Sequence, residues 1–429
     1  MDQERIRAVL EENSKRRAIL FSPYDPLSGK GSPIERKQIS YMVRGEKQEY
    51  AIPLDMYEKY KTLFDLITKS GTLEEFVKVT AGVSATNGML LQVANSITEM
   101  RFDHDFEFWA ITCVKIQDKK SKQIIPFKLN RPQRKLLARL EKMRLAGVPI
   151  RIIILKARQW GGSTLVQVYM AWIQIRHKTN WHSVVVADIE EQARNINGMY
   201  SRLAREYPSS LGAINLVPYE RSTKSRMIKG RDCVISIGSA QKPDALRSFD
   251  LAMCHFSEAG FYKSTAQKTP EDLVQSIRSA VADVPYSLIA LESTAKGVGN
   301  FYHREWQSAV NGESGYDPLF VSWFEIEIYQ REIKNKETFI EWVFSNAYAT
   351  FLWNLGATLE GINWYFDFKK RENYSDLMMN SEYPSTAEEA FTSTGARVFA
   401  PDYVQNTRKT CTTPEYIGDI TGKSLKGKD

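Results

Sequence analysis

The stretch Arg151-Ile-Ile-Ile-Leu-Lys156-Ala-Arg158-Gln159-Trp160-Gly161-Gly162-Ser163-Thr164-Leu165 decides the fold. Its first residues are almost continuously aliphatic, as in a strand covered on both faces. Two glycines and two hydroxyls follow, then a helical pattern over 163–177. This arrangement binds phosphate when the strand fixes the loop's start, glycines let backbone N–H groups approach oxygens, the helix N-terminus faces the anion, and a hydroxyl meets Mg²⁺. Laid over the pattern G-x-x-x-x-G-K-[ST], Gly161 takes the second glycine and Ser163 the hydroxyl. Gly162 stands where the lysine belongs, and Lys156 where the first glycine belongs. The cation required against the β- and γ-phosphates then comes from Lys156 at the start of the loop or from Arg158 within it. An ordinary strand-to-helix turn would use the same residue types, so the loop alone leaves both readings open.

Working outward, strand-like runs at 183–188, 233–237, 251–256, 287–291 and 320–325 alternate with helical patterns at 190–206 and 272–282. Little polar alternation within the strands predicts a largely parallel sheet with helical crossovers, an α/β nucleotide-binding layout. Up to residue 98 the chain reads as a mostly helical appendage, with a Pro/Gly/Ser-rich stretch at 22–33 and helical patterns at 56–67 and 73–79. The core is expected over 99–325. A small helical, aromatic-rich lid follows over 326–400, with Ser385 and Glu388 spaced as a capping box. Residues 401–429 are polar and basic and read as a linker.

Composition narrows the class. Hydrophobic residues make up 43% and charged residues 25% of the 429, which excludes wholesale disorder. The 58 Lys and Arg against 51 Asp and Glu leave +7, which permits contact with a polyanion without demanding it. No apolar run approaches the ~20 residues that span a bilayer. The charged opening residues lack the apolar core of a signal peptide, and four scattered cysteines, Cys113, Cys233, Cys254 and Cys411, read as reduced thiols.

Three further motifs carry chemistry. In LAMCHFSEAG, residues 251–260, a strand delivers Ser257 and Glu258 at its carboxyl end, where open α/β sheets place ligands. Glu258 there suits alignment and deprotonation of an attacking water. Ser257 replaces the usual aspartate that holds Mg²⁺ through water. The same pair also reads as a helix cap. In LIALESTAKGVGN, residues 288–300, Ser293 and Thr294 suit sensing of a γ-phosphate, with Gly297 and Gly299 supplying flexibility; a turn and cap would look alike. In FKLNRPQRKLLARL, residues 127–140, the amide of Gln133 suits adenine's edge, although Pro132 and its neighbours equally mark a plain helix start.

Together and in this order, these motifs resemble the ATPase part of the large terminase subunit, the DNA-packaging motor of tailed double-stranded DNA phages. The resemblance runs from about residue 102 to 403. In that family the phosphate loop often departs from the strict pattern, with an Arg-Gln pair before its glycine, as in Arg158-Gln159-Trp160-Gly161, and sometimes with its lysine displaced to the loop's start, like Lys156. HFSEAGFY resembles the family's Walker B segment with its catalytic glutamate, and ESTAKGVGNFY its coupling motif. EYPSTAEEAFTSTGARVF resembles the segment closing the ATPase region.

The resemblance implies a P-loop NTPase fold of the RecA-like, ASCE kind. It implies ATP and Mg²⁺ as cofactors, with the loop from Lys156 to Thr164 around the phosphates. Glu258 would activate water, Ser163 and Ser257 would serve the metal, and Gln133 would read adenine. Arg247 resembles the arginine that such subunits insert into a neighbour's site. The implied partners are double-stranded DNA, a portal protein, a small terminase subunit and further copies of the chain in a ring, a pentamer by family habit. The implied place is the host cytoplasm, transiently docked on the prohead and absent from the mature virion. Family members usually add an RNase H-like nuclease; no cluster of carboxylates for its metals is evident here, so DNA cleavage is not expected. A RecA-like helicase or translocase and a non-hydrolysing nucleotide-binding assembly protein are the competing functions.

Overall fold

Six aliphatic strands build the centre of the molecule because none of them leaves a polar face for water. The computed structural model describes residues 2–118, 121–219, 225–241, 250–264 and 269–392. In chain order the strands are β1 (Arg36–Val43), β2 (Glu46–Pro53), β3 (Lys115–Gln117), β4 (Ile124–Pro126), β5 (Ile150–Lys156), β6 (His182–Ala187), β7 (Leu216–Pro218), β8 (Ser225–Ile228), β9 (Cys233–Ser239), β10 (Leu251–Ser257), β11 (Leu288–Ser293) and β12 (Asp317–Val321). The main sheet has eight strands in the order β12-β5-β11-β10-β6-β9-β8-β7. From β12 to β9 every pairing is parallel; β8 and β7 add an antiparallel edge.

Parallel neighbours need crossovers, and helices supply them: Gly162–Trp172 after β5, Glu190–Glu206 after β6, Pro270–Arg278 after β10 and Phe301–Val310 after β11. These helices cover both faces. One face carries a core with Ile152, Ile154 and Leu165, the other a core with Ile153, Leu155 and Val274. The chain leaves β5 for β6 on the far side of β10 and β11, which are inserted later between them. The α/β, P-loop NTPase layout expected from the sequence is therefore present, and the carboxyl ends of β5, β11 and β10 lie side by side.

Several local expectations change. In the appendage, beside the helices Leu54–Lys59, Lys61–Ser70 and Leu73–Ala81, RKQISYMV and EKQEYAIP pair as the hairpin β1–β2. The turn is Arg44-Gly45, and both residues have positive φ (52° and 81°), the geometry that matches hairpin twist. The last parallel strand is Asp317–Val321, because a capped 3₁₀ turn, Trp323–Glu325, takes up the residues beyond it. The final cap is shifted by one: the Thr386 hydroxyl accepts from the Glu389 N–H, and the Glu389 carboxylate accepts from the Ser385 N–H. The helix after the loop ends at Trp172 and widens into one π turn, Ile173–His177.

The first helix, Gln3–Leu20, packs on the helical region beyond β12. Its buried Asn13 donates to Glu360 at 3.0 Å and accepts from the Leu359 N–H at 2.8 Å. Arg16 donates to the carbonyls of Trp353 and Ala357 and lies over the Trp353 ring, 3.9 Å from its centroid. Residues 39–97 hold an apolar cluster of their own, centred on Ile52, Met56, Phe64 and Ile67. Cys113, Cys233 and Cys254 are buried free thiols. Among the described residues no helix is long and apolar enough to cross a membrane. Residues 393–429, including the segment expected to be a linker, lie outside the described residues, as does Arg247.

Candidate active site

Lys156 is the last residue of β5, and no pattern-matching lysine follows it in the loop. The reason lies at Gly162. A Cβ built there would sit 2.3 Å from Cζ2 and 2.7 Å from Cη2 of the buried Trp160 ring. A side chain at that position has no room, so no cation can reach the loop from there. Gly161 takes a left-handed conformation (φ 80°), and a Cβ on it would lie 2.7 Å from Nε2 of Gln133. Gln159 is also left-handed (φ 65°) and is exposed. Gly161 is the N-cap of the helix Gly162–Trp172 and offers no side-chain cap. The first-turn residues Ser163 and Thr164 are half-buried. A helix start with no side-chain cap leaves its leading amides free for an anion.

The ammonium of Lys156 is buried between two carboxylates, 2.9 Å from Oε1 of Glu258 and 3.0 Å from Oε1 of Glu292. Burial alone would pull its pKa down, but the two negative charges outweigh burial and hold it above the usual lysine value. Glu292, on β11, is fully buried. Its Oε1 also accepts from the Ser163 hydroxyl at 2.8 Å, and its Oε2 lies 2.9 Å from Nε2 of His255. Burial would push this carboxyl up, yet the Lys156 charge, His255 and the Ser163 bond hold it well below the ordinary carboxylate range.

Glu258 follows β10 directly in a left-handed conformation (φ 57°) that aims it across the strand ends. Its Oε2 lies 3.3 Å from the Thr294 N–H and 3.5 Å from the Ser293 hydroxyl. Ser293 in turn accepts from the Gly260 N–H at 3.0 Å; a Cβ at Gly260 would stand 2.8 Å from the same oxygen. The three expected motifs thus meet: the loop, Glu258 and the Ser293-Thr294 segment form one hydrogen-bonded group.

Other expected residues are placed differently. Arg158 is half exposed and turns away from the carboxylates, with its Nε 2.7 Å from Oε2 of Glu382. Its backbone N–H donates to the Glu382 carbonyl at 3.0 Å, and its carbonyl accepts from the Tyr329 hydroxyl at 2.7 Å. Of the two candidate cations, Lys156 is the one at the carboxylates, while Arg158 ties the loop to the helix Asp376–Glu382. Burial raises the Glu382 carboxyl above its usual value despite Arg158. Gln133 is 4% exposed, and its amide is engaged at both ends: Nε2 donates to the Gly161 carbonyl at 2.9 Å and Oε1 accepts from the Asn130 N–H at 2.9 Å. It braces the loop in this conformation, beside Asn130, whose Nδ2 donates to the Trp160 carbonyl at 2.8 Å. Ser257 is buried and stands in register with Glu292 on the adjacent strand.

Glu292, His255 and Glu382 were not singled out from the sequence. A signal existed for the first two. A carboxylate and an imidazole inside strands with no polar face must find partners, because an unpaired buried charge is too costly to keep.

The arrangement can bind an anion at the helix start, with a buried cation beside it. Its hard oxygens, from Ser163, Glu292 and Glu258, are the donor type that suits Mg²⁺, which is held by few protein groups and completes its shell with water and phosphate. Among the described residues no group of three or more His, Cys, Asp or Glu is placed to form an all-protein metal cage.

No family model matches the sequence, and no curated protein is similar to it. Among solved structures, the chain is similar to the HK97 bacteriophage large terminase, at 16% identity over 62% of this chain and 55% of that one, with a TM-score of 0.42. It is also similar to the ATPase domain of the Thermus phage P74-26 large terminase, at 17% identity over 59% of this chain and 98% of that one, TM-score 0.35. A third is the large terminase of a thermophilic bacteriophage in complex with ADP, at 14% identity over 51% of this chain and 50% of that one, TM-score 0.34. The likeness thus spans about half the length of the first and third of these proteins.

Proposed function

We propose that this chain is the ATPase region of a phage DNA-packaging motor, a large terminase subunit that hydrolyses ATP to move double-stranded DNA into a prohead. The observation that carries the reading is the buried Lys156, held between Glu258 and Glu292 beside a glycine loop and an uncapped helix start. The order of motifs along the chain, with its resemblance to that family, supplies the DNA-moving half of the reading.

In this scheme the loop amides from Gly161 to Thr164 receive the phosphates, and Lys156 exchanges a carboxylate partner for phosphate oxygens. Ser163, backed by Glu292, would hold Mg²⁺. Bound there, the metal would draw charge from the phosphate oxygens. Glu258, released from Lys156, accepts a proton from the attacking water, aligned by the Thr294 N–H and the Ser293 hydroxyl that already touch its other oxygen. The same two contacts transmit the loss of the γ-phosphate to the segment leading into the helix Phe301–Val310. Arg158 and Glu382 pass the change of the loop to the lid. Arg247 of a neighbouring copy supplies further positive charge, in a ring docked on a portal protein in the host cytoplasm and served by a small terminase subunit. DNA is gripped through its phosphates, so binding is independent of sequence and falls steeply with salt.

The test is nucleotide binding and turnover by the whole chain, with and without duplex DNA. Wild type should bind fluorescent mant-ADP and release phosphate from ATP. Glu258→Gln should keep binding and lose turnover, by the ~10²–10⁴-fold typical of a lost general base. Binding without turnover in the wild type, even with DNA and partners present, favours the non-hydrolysing assembly protein. A failure to bind nucleotide removes the motor reading altogether.

A further inference from the structure

The Ser257-Glu258 pair leaves one place in the site unfilled. An ATPase of this layout sets an acid just before its catalytic glutamate to hold Mg²⁺, and here a hydroxyl stands there. The missing charge is on the next strand. Ser257 and Glu292 are paired residues of the parallel strands β10 and β11, so their side chains leave the sheet on the same face, one strand spacing (~4.8 Å) apart. Glu292 is fully buried and reaches the residue that the loop reading assigns to the metal: the Ser163 hydroxyl donates to its Oε1 at 2.8 Å. A serine whose proton is committed to a carboxylate turns its lone pairs outward, the orientation a cation requires.

Structural need alone does not explain this carboxylate. A buried ion pair contributes little stability over a well-packed apolar pair, so a charge at the end of an otherwise aliphatic strand points to a task. His255 completes the arrangement. Its Nε2 lies 2.9 Å from Oε2 of Glu292, and because a carboxylate only accepts, Nε2–H is the donor there; its Nδ1 lies 3.5 Å from the amide nitrogen of Gln167. Oε2 is thereby fixed by the imidazole, and Oε1 faces Ser163 and Lys156.

We infer that Glu292 supplies, from the neighbouring strand, the carboxylate that position 257 lacks, holding the Mg²⁺ of the bound nucleotide against Ser163, with His255 as the positioning residue behind it. This inference rests on the nucleotide reading of the loop. It assigns the site a magnesium–nucleotide ligand whose metal is gripped from β11 and not from β10.

The test separates metal from nucleotide. Mant-ADP is titrated into the full chain in EDTA and in Mg²⁺, and free Mn²⁺ is followed by electron paramagnetic resonance in the presence of ADP. In Glu292→Gln, metal-free affinity for mant-ADP should be no weaker than in wild type, because the change removes a negative charge beside the phosphates and frees Lys156, while the gain from Mg²⁺ and the retention of Mn²⁺ fall by ~10–100-fold, the usual loss when a group orienting a metal ligand is removed. The double variant Ser257→Asp/Glu292→Gln, which moves the carboxylate back across the strand pair, should recover part of the metal dependence. His255→Gln should lower Mn²⁺ retention and leave metal-free binding unchanged. A Glu292→Gln protein with the full Mg²⁺ gain overturns the inference and leaves the nucleotide reading standing. Equal loss with and without metal also overturns it, because Glu292 is then only a support for the loop. A wild type that binds mant-ADP in neither condition overturns the nucleotide reading itself.

Discussion

Gly162→Ala is the sharpest probe of the loop. Gly162 has no positive φ, so the change introduces no backbone strain, and alanine is worth about 1 kcal/mol more than glycine inside a helix. The structure predicts the opposite sign. The new Cβ would meet three atoms of the Trp160 ring at 2.3, 2.7 and 2.8 Å, and that ring, 2% exposed, cannot swing aside without moving the loop. Overpacking of this kind costs roughly 1–3 kcal/mol. Gly198→Ala is the matched control: it occupies an exposed position of the helix Glu190–Glu206, and its Cβ would meet nothing within 4 Å. Comparing the two variants cancels helix propensity and the shared effect on the unfolded chain. At ~2–4 °C per kcal/mol for domains of 150–250 residues, Gly162→Ala should melt roughly 2–12 °C below Gly198→Ala by calorimetry. Gly162→Lys, which restores the strict phosphate-loop pattern on paper, should lose mant-ADP binding for the same reason. The reasoning fails if the two alanine variants melt together, or if the lysine variant binds nucleotide more tightly than wild type.

Other outcomes follow from the same contacts. Lys156→Met leaves Glu292 buried beside Glu258 with no cation between them, and should cost about 3–5 kcal/mol at neutral pH in denaturant titrations. In the wild type Glu292 has a lowered folded-state pKa, so its stabilisation is present above the unfolded value of 4.5 and is lost as pH falls. Without Lys156, burial raises that pKa and acid relieves the variant. The stability gap should therefore narrow between pH 7 and pH 4; a constant gap counts against the pairing. Glu382→Ala frees Arg158 from a half-exposed ion pair worth roughly 0.2–1 kcal/mol, so affinity for a triphosphate analogue should rise by up to about fivefold while ADP affinity stays level. Asn13→Ala removes a buried donor and acceptor together, leaving the Leu359 N–H unpartnered, and should cost ~1–3 kcal/mol. Hydrogen exchange should then speed up in the helix Gln3–Leu20 before it does in the central sheet.

The central sheet was readable because its strands carry no polar alternation, a pattern that survives without knowledge of partners. Ile152 to Leu155, Val184 to Val186 and Leu288 to Leu291 all lie where aliphatic runs placed them. The hairpin β1–β2 escaped notice because its alternation is diluted by Lys, Gln and Glu on an exposed sheet face, and charged residues of that kind read equally well as loop or helix. The strands β7 and β8, of three and four residues, are too short for periodicity to register. At the site, glycines and hydroxyls on the loop were legible by spacing. The choice between Lys156 and Arg158 was not, because it depends on which carboxylates the tertiary fold brings near each of them. Glu258 and Glu292 reach Lys156 across 102 and 136 residues of chain, and Glu382 reaches Arg158 across 224. Gln133 shows the same limit: its position before the loop was visible, but the Gly161 carbonyl that holds its amide was not.

The tie between Asn13 and Glu360 spans 347 residues. On a ribosome adding ~5–20 residues per second, the first helix therefore waits roughly 20–70 s before its dock has been synthesised. During that interval Ile6 and Val9 have no apolar surface from that region to cover them. Slowing translation near residue 360 should lengthen the window in which that helix is open to proteases or chaperones.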